Sequence, residues 1–391
     1  MTILHISTRM ILGGSQRHVV MTCAAQVAQG HEVWLAFGPI YGPEGSLMDA
    51  AIDSGARLVE MPSLRRPPAP AHDIRCYRQL RRLIRAARPD VVHTHSSKAG
   101  ILGRAAAWAE NVPAVVHTVH GVEFHDHQPK IIKRAYVALE RWAAKRCHKI
   151  VGVSEAMREV FRAERIGRPD QLEVIMGGID LHEFHPSAAD RATVRRELGI
   201  SDAAPVIGMV ARLDPLKGQA DLLSILPELA HRFPQLRMLL VGDGWYRAEL
   251  ERRAELIGVL DRTIFTGVVP LSRVRQLLGA MDVVALPSYN EAQGLALIEA
   301  LLCGSAIVAY DVGGIGEVCI NDVTGRLVPV GDREALSDAI LWLFEDDRRR
   351  HELAARGREY AISCFDHRTM VARIEDLYRS ILEKRTLGLR T

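Results

Sequence analysis

Short apolar runs alternate along this chain with longer stretches in which apolar residues recur every three or four positions. These are the periods of a buried strand and of a helix with one packed face. The runs Thr2–Ser7, Glu32–Phe37, Arg57–Met61, Val91–Thr94, Ala114–Thr118, Ile150–Val153 and Leu172–Ile175 predict strands. Helical stretches lie between them, the first at Gln16–Gln29 and closed by Gly30. A second series opens at Val206 and runs through LLVGDG (239–244), FTG (265–267), Val283–Leu286 and Ala306–Ala309. Such alternation implies an α/β protein with parallel, doubly wound sheets, whose ligands bind beyond the carboxyl ends of strands. Thr8–Gly14, His95–Lys98 and His120–Glu123 fall at such ends.

Punctuation between the runs suggests the domains. SLRRPPAPA (63–71) reads as an extended surface loop. The polar residues 187–204 read as a linker, so domains are expected at 1–186 and 187–365, followed by a C-terminal helix over 366–391. Within Phe365–Leu382, Met370, Val371, Ile374, Leu377, Tyr378 and Ile381 share one face. At 391 residues the chain suits two cores better than one.

Composition changes this picture little: 48% hydrophobic and 25% charged residues are ordinary for a globular protein. The six cysteines are scattered without C-x-x-C, which favours reduced thiols in a cytoplasmic protein over a structural zinc. The N-terminus shows no signal peptide, and no apolar run reaches transmembrane length. Through His185 there are 24 Lys and Arg against 18 Asp and Glu, a net of +6; the remainder, 26 against 29, carries −3. That balance is too weak for a nucleic-acid binder but suits one domain beside anionic substrates or lipids. Asp73–Ala87 and Lys130–Lys149 are basic helical stretches, read as solvated faces or as contacts with an anionic membrane.

Candidate chemistry concentrates in residues 285–309, ALPSYNEAQGLALIEALLCGSAIVA. The run Val283–Leu286 ends at Pro287, a turn follows, and a helix is expected over Leu295–Leu302, closed by Gly304. Backbone N–H groups at Gly294 and Leu295 would lie at that helix's N-terminus, which favours an anion such as phosphate. Glu299 sits in a helix that looks almost wholly buried, where a carboxylate needs a partner or a ligand. Glu291 is in a polar loop, where an ordinary solvated carboxylate is the simpler reading. Gly13-Gly14 before a helix either marks a plain turn or lets a ligand approach the backbone closely. His93 and His95 have no third ligand at metal spacing in the sequence and are read as strand-end residues. No metal site is expected.

E-A-Q-G-L-A-L-I-E-A-L-L-C-G (291–304) resembles the E-x7-E signature of the retaining GT-B glycosyltransferases, specifically family 4, the glycosyl transferases group 1. VVHTHSSKAG (91–100), VHTVHGVEFH (116–125), VIGMVARLDPLKGQADLL (206–223), LLVGDGWYRAELE (239–251) and DVGGIGEVCINDVTGRLVP (311–329) are similar to further segments of that family, in the same order. The resemblance implies two Rossmann-like domains facing across a cleft, with the last helix returning to the first. It assigns Arg212 and Lys217 to the donor diphosphate, Glu291 to the donor sugar and Glu299 to the ribose. His120 would approach the sugar, Gly13 and Gly14 the diphosphate or the acceptor, and the backbone of Val268 and Val269 the nucleotide base. The chain departs from the family in having Gly177 for the usual Asn and Ala292-Gln293 for the usual Gly-Phe. Gln293 can donate to a sugar hydroxyl or to pyrophosphate.

The expected activity is therefore retaining transfer from a UDP- or GDP-linked sugar to a glycan or lipid-linked acceptor, in bacterial surface polysaccharide or glycolipid synthesis. There is no D-x-D triplet, so no metal is expected to bridge the diphosphate, and no other cofactor is called for. Alternatives are a sugar-nucleotide epimerase of the same fold and a catalytically silent sugar-nucleotide-binding subunit. Peripheral association with the inner face of the cytoplasmic membrane would suit a lipid-linked acceptor.

Overall fold

The computed structural model describes residues 1–40, 45–124 and 128–387. It divides the chain into two units: Met1–Gly178 joined by the chain from His367 onward, and Ile179–Asp366. In the first, seven parallel strands are ordered β3-β2-β1-β4-β5-β6-β7. They are β1 (Thr2–Ser7), β2 (Glu32–Phe37), β3 (Arg57–Glu60), β4 (Val91–His95), β5 (Ala114–Val119), β6 (Lys149–Gly152) and β7 (Leu172–Val174). In the second, six parallel strands are ordered β10-β9-β8-β11-β12-β13. These are β8 (Val206–Val210), β9 (Arg237–Val241), β10 (Thr263–Gly267), β11 (Val283–Leu286), β12 (Ala306–Tyr310) and β13 (Gly325–Val328). Winding reverses between β1 and β4 in the first sheet and between β8 and β11 in the second, the places where doubly wound sheets open a crevice for ligands.

Alternation along each strand turns successive side chains to opposite faces of the sheet. In the first unit Leu4, Ile6, Val92 and Val115 face one layer of helices. Ile3, Val91 and Val116 face the other, where Met370, Val371, Ile374 and Ile381 of the helix His367–Thr386 pack on them.

Expectations for four elements need correction. Pro70 and Ala71 belong to the helix Pro70–Ala87 and not to a loop, because proline suits a first turn that needs no N–H donor. Residues 187–204 are no linker. Ser187 caps a helix, Ala188–Glu197, whose fully buried Arg195 bonds Asp282 at 2.9 Å and the carbonyls of Ala280 and Ala204. The basic helix from Lys130 ends at Ala144, and Lys149 opens β6. Phe365 follows a separate helix, Asp347–Cys364, and the last helix begins at His367. Ile179 already belongs to the second unit, its N–H bonded to the Phe365 carbonyl at 2.8 Å. Residues 388–391 of the expected C-terminal helix, and His125 of the 116–125 segment, lie outside the described residues.

Candidate active site

In the second unit the predicted charges meet at the reversal of the sheet. β8 leaves at Val210 into ARLDPLKG, where the Asp214 side chain organises a single tight turn, Pro215–Lys217. One carboxylate oxygen accepts the Leu216 N–H at 3.0 Å and the other accepts from Arg212 at 3.2 Å. Gly218 closes the turn with φ +79°, and a Cβ there would stand 1.8 Å from the Pro287 carbonyl oxygen. This glycine is a contact between loops, since Pro287 directly follows β11. The Tyr289 N–H then bonds the Leu216 carbonyl at 2.8 Å. The two loops are thereby locked, and Lys217 Nζ comes to 2.5 Å from Glu291 Oε2 although 74 positions separate them.

A third loop supports the backbone of Glu291. Gly314 N–H donates to the Glu291 carbonyl at 3.3 Å, and a Cβ on Gly313 would lie 1.8 Å from that oxygen. Gly294 caps the helix Leu295–Leu302, which carries Glu299 in a buried position, and Gln293 is buried beside its start. Arg212, Lys217, Glu291, Gln293, Gly294, Leu295 and Glu299 therefore lie on two loops and one helix around the β8–β11 reversal. Val268 and Val269 do not join them: they follow the edge strand β10, from which β9 separates β8.

An anchor beneath this loop was missed in the sequence. Asp221, buried, accepts from Tyr289 at 2.5 Å, Tyr310 at 3.1 Å and Arg333 at 2.8 Å. Burial and the Asp221 carboxylate push the Tyr289 phenol up to about 12, so it remains a donor. The available signal was a carboxylate on the apolar face of DLLSIL (221–226), where a buried charge needs partners.

In the first unit Gly13 is the N-cap of a helix that begins at Gly14, earlier than expected. Its φ of −162° is extended backbone open to any residue, so the fold does not demand this glycine. His120 follows β5 and is half-buried. It lines a shallow pocket with Ser96, Ser97, Gly121 and Glu123.

His95 does end β4, but the expectation that no third ligand lies near His93 and His95 is corrected by the sheet. Residues at i and i+2 on β4 share a face, and the β1–β4 register pairs His5 with His93. A third imidazole thus arrives from β1 to form a buried cluster. Burial holds His5 and His18 down at about 4 and keeps His93, His95, His117 and His120 well below the usual histidine range, so all six are neutral at pH 7.

With this geometry established, known proteins can be set beside the chain. It matches the family model "Glycosyltransferase Family 4" over residues 12–183 and "Glycosyl transferases group 1" over 190–360. It is 28% identical, over 96% of each chain, to the UDP-Gal:alpha-D-GlcNAc-diphosphoundecaprenol alpha-1,3-galactosyltransferase of Escherichia coli. A D-inositol 3-phosphate glycosyltransferase of Xylanimonas cellulosilytica is 32% identical over 76% of this chain and 73% of its own length. Among solved structures, HepE of Anabaena in complex with UDP and glucose superposes with a TM-score of 0.84 at 24% identity, covering 97% of this chain and all of the other. Sucrose-phosphate synthase of Thermosynechococcus elongatus also gives 0.84, at 21% identity and 98% coverage of this chain. At those identities the structural likeness speaks for the fold.

Proposed function

The chain belongs to glycosyltransferase family 4, with the GT-B fold of two Rossmann-like domains, and from that premise we propose a retaining, metal-independent hexosyl transfer. The donor is a UDP- or GDP-linked sugar. The acceptor is a glycan or lipid-linked saccharide of bacterial surface polysaccharide or glycolipid synthesis. Support for such an acceptor comes from the diphosphoundecaprenol-linked substrate named for the Escherichia coli relative.

The observation that carries the reading is the Lys217–Glu291 pair at the β8–β11 reversal, beside the start of a helix. A ligand that offers both an anion and hydroxyl groups replaces each partner of that pair with its own complement. A diphosphosugar is such a ligand: its diphosphate takes Lys217, Arg212 and the N–H groups at Gly294 and Leu295, and its sugar hydroxyls take Glu291 and Gln293. The cations then stabilise the charge that grows on the departing diphosphate, which is where electrostatic catalysis acts. Glu299 is assigned to the ribose, the Val268 and Val269 backbone to the base, His120 to the sugar, and Gly13 and Gly14 to the diphosphate or acceptor.

Contact with an anionic membrane is part of the proposal. On the helix Lys130–Ala144, Ile131, Ile132, Leu139 and Trp142 are exposed among Lys130, Lys133, Arg134 and Arg141. Basic residues beside exposed apolar ones suit an interfacial helix. Among the described residues, no helix is long and apolar enough to cross a membrane.

The test is a thermal-shift series with UDP, GDP and ADP and their sugar conjugates, in EDTA and in magnesium. A ligand that binds only the folded state raises Tm by mass action. One nucleotide is expected to stabilise in EDTA, and product from the matching α-linked donor to be α-linked. Stabilisation confined to magnesium, or a β-linked product, would overturn metal independence or retention respectively.

A further inference from the structure

Apart from His120, the buried imidazoles of the first unit have no part in the donor chemistry above, yet their hydrogen bonds form a continuous row that ends at it. His5 Nε2 lies 2.8 Å from Gln26 Oε1 and His5 Nδ1 lies 3.0 Å from His95 Nε2. His95 Nδ1 is in turn 3.1 Å from Nε2 of His120. His93 stands to one side, bonded to the Tyr378 hydroxyl at 2.5 Å and to Thr118 Oγ1 at 2.7 Å. His5, His93 and His95 are close enough together to suggest a metal site. However, each of their six ring nitrogens already has a partner within 3.1 Å. With these three rings neutral, the bonds account for each of their lone pairs and ring protons, which makes the row a hydrogen-bonded relay.

A neutral imidazole carries one ring proton, donating from one nitrogen and accepting at the other. A row of such rings has only two consistent arrangements, each the reverse of the other. Gln26 selects between them through its amide orientation: placed with its carbonyl oxygen, which only accepts, against His5 Nε2, it fixes the direction of the row. His5 therefore carries its proton on Nε2 and accepts at Nδ1 from His95 Nε2–H. His95 Nδ1 accepts from His120 Nε2–H, which leaves a lone pair on His120 Nδ1. His120 is half-buried and lines the pocket beside Ser96 and Ser97, so the row ends in the wall of that pocket. Burial of every ring suppresses the protonated form that would erase the direction.

We propose that Gln26, His5 and His95 are positioning residues that hold His120 in its Nε2–H tautomer, so that His120 Nδ1 meets a ligand hydroxyl as an acceptor. The hydroxyl's identity rests on the assignment of His120 to the sugar; the tautomer does not. A nitrogen in this state accepts from a sugar hydroxyl but has no proton to give a phosphate or carboxylate oxygen. His120 thus discriminates for sugar and against anion, and the donor's charge is left to Arg212 and Lys217.

Two-bond proton–nitrogen NMR on the full-length chain with ¹⁵N-labelled histidine reads the tautomer directly, with His120 assigned by the signal lost in His120→Gln. The native protein should show His120 protonated at Nε2 and bare at Nδ1. Gln26→Met, of similar length but without an acceptor, should give a mixture of tautomers at His120 and lower kcat about tenfold at unchanged donor KM, the size of one lost hydrogen bond. Gln26→Glu restores an acceptor and should restore the Nε2–H form. A proton on Nδ1 in the native protein overturns the relay, and so does a Gln26→Met spectrum identical to native. The native spectrum is decisive even where a variant fails to fold. It is recorded without substrate, so its outcome is independent of whether the transferase reading holds.

Discussion

The two units share a plan and place their polar chemistry in opposite ways. The strands of the second sheet that flank the reversal, β8 and β11, are wholly apolar, and every charge assigned to the donor sits in a loop or helix beyond them. The first sheet carries His5, His93 and His95 inside its strands, fully buried. The difference follows from what each group has to be. Arg212, Lys217 and Glu291 act as charges, and a charge survives at a strand end where loops and solvent share its desolvation. The histidines act as neutral donors and acceptors, and those can be buried at little cost once every nitrogen is bonded. One fold therefore supplies a charged crevice and a neutral, directional one, according to whether the polar residues stand beyond the strand ends or within them.

Removing the charge breaks the comparison most severely. Lys217→Ala is expected to lower kcat/KM by about 10²–10³, the loss typical when one electrostatic contact to developing charge is deleted. Nucleotide release in a sugar-transfer assay measures it, and unchanged activity would remove Lys217 from the site. Acidification should strike the other unit. Unfolded histidine binds a proton below about 6.5. His5 and His18 resist protonation down to about 4, mainly through burial. Between those values the unfolded chain holds more protons, so stability is complete above pH 6.5 and falls as pH drops towards 4. From pH 7.5 to 5.5 each of the two forfeits about 1.4 kcal/mol. His182, His185, His231 and His351 of the second unit are all exposed. Hydrogen exchange followed by mass spectrometry should therefore show β1, β4 and β5 loosening at pH 5.5 while β8, β11 and β12 hold. Equal loosening of both sheets would refute the contrast.

Much of this was legible in the sequence because strands of a parallel sheet are written as unbroken apolar runs. β1, β2 and β11 begin and end where the runs Thr2–Ser7, Glu32–Phe37 and Val283–Leu286 do. The Lys217–Glu291 pair was legible only through resemblance, since nothing local to Lys217 announces a partner 74 positions away. Arg195 shows the opposite failure. A polar stretch reads as solvent-facing, yet this guanidinium is buried because Asp282 and four backbone carbonyls satisfy it. The histidine relay was hidden for a third reason. Its members lie on different elements, and the step from His5 to His95 exists only once the β1–β4 register is known.

Backbone geometry offers a smaller test of how the charged crevice is held. Gly218→Ala adds a Cβ at positive φ and against the Pro287 carbonyl, so the β8 loop can no longer seat on the β11 loop. A loss of about 2 kcal/mol is expected from the strained backbone alone, read as a lower denaturant midpoint. The Lys217–Glu291 pair should loosen with it, and nucleotide binding should weaken. A variant as stable as the native chain would show that the two loops are not locked through this residue.

The units also differ at their surfaces, and here the smallest effect is expected. Ile131 is 77% exposed on a helix rich in Lys and Arg in the first unit. Its removal should leave the fold intact, because it packs little of its side chain. At an anionic bilayer the same side chain would enter the interface, and a partial burial of about 1 kcal/mol corresponds to about fivefold in partitioning. Ile131→Ser should therefore reduce sedimentation with phosphatidylglycerol vesicles about fivefold, while Tm and nucleotide binding stay at native values. Salt should weaken native binding as well, because the attraction of exposed Lys130 and Arg134 to the lipid headgroups is screened. Binding that is equal on neutral and anionic vesicles, or indifferent to Ile131, would assign this face to solvent. The chemistry of the second unit would then proceed without a membrane contact through this helix.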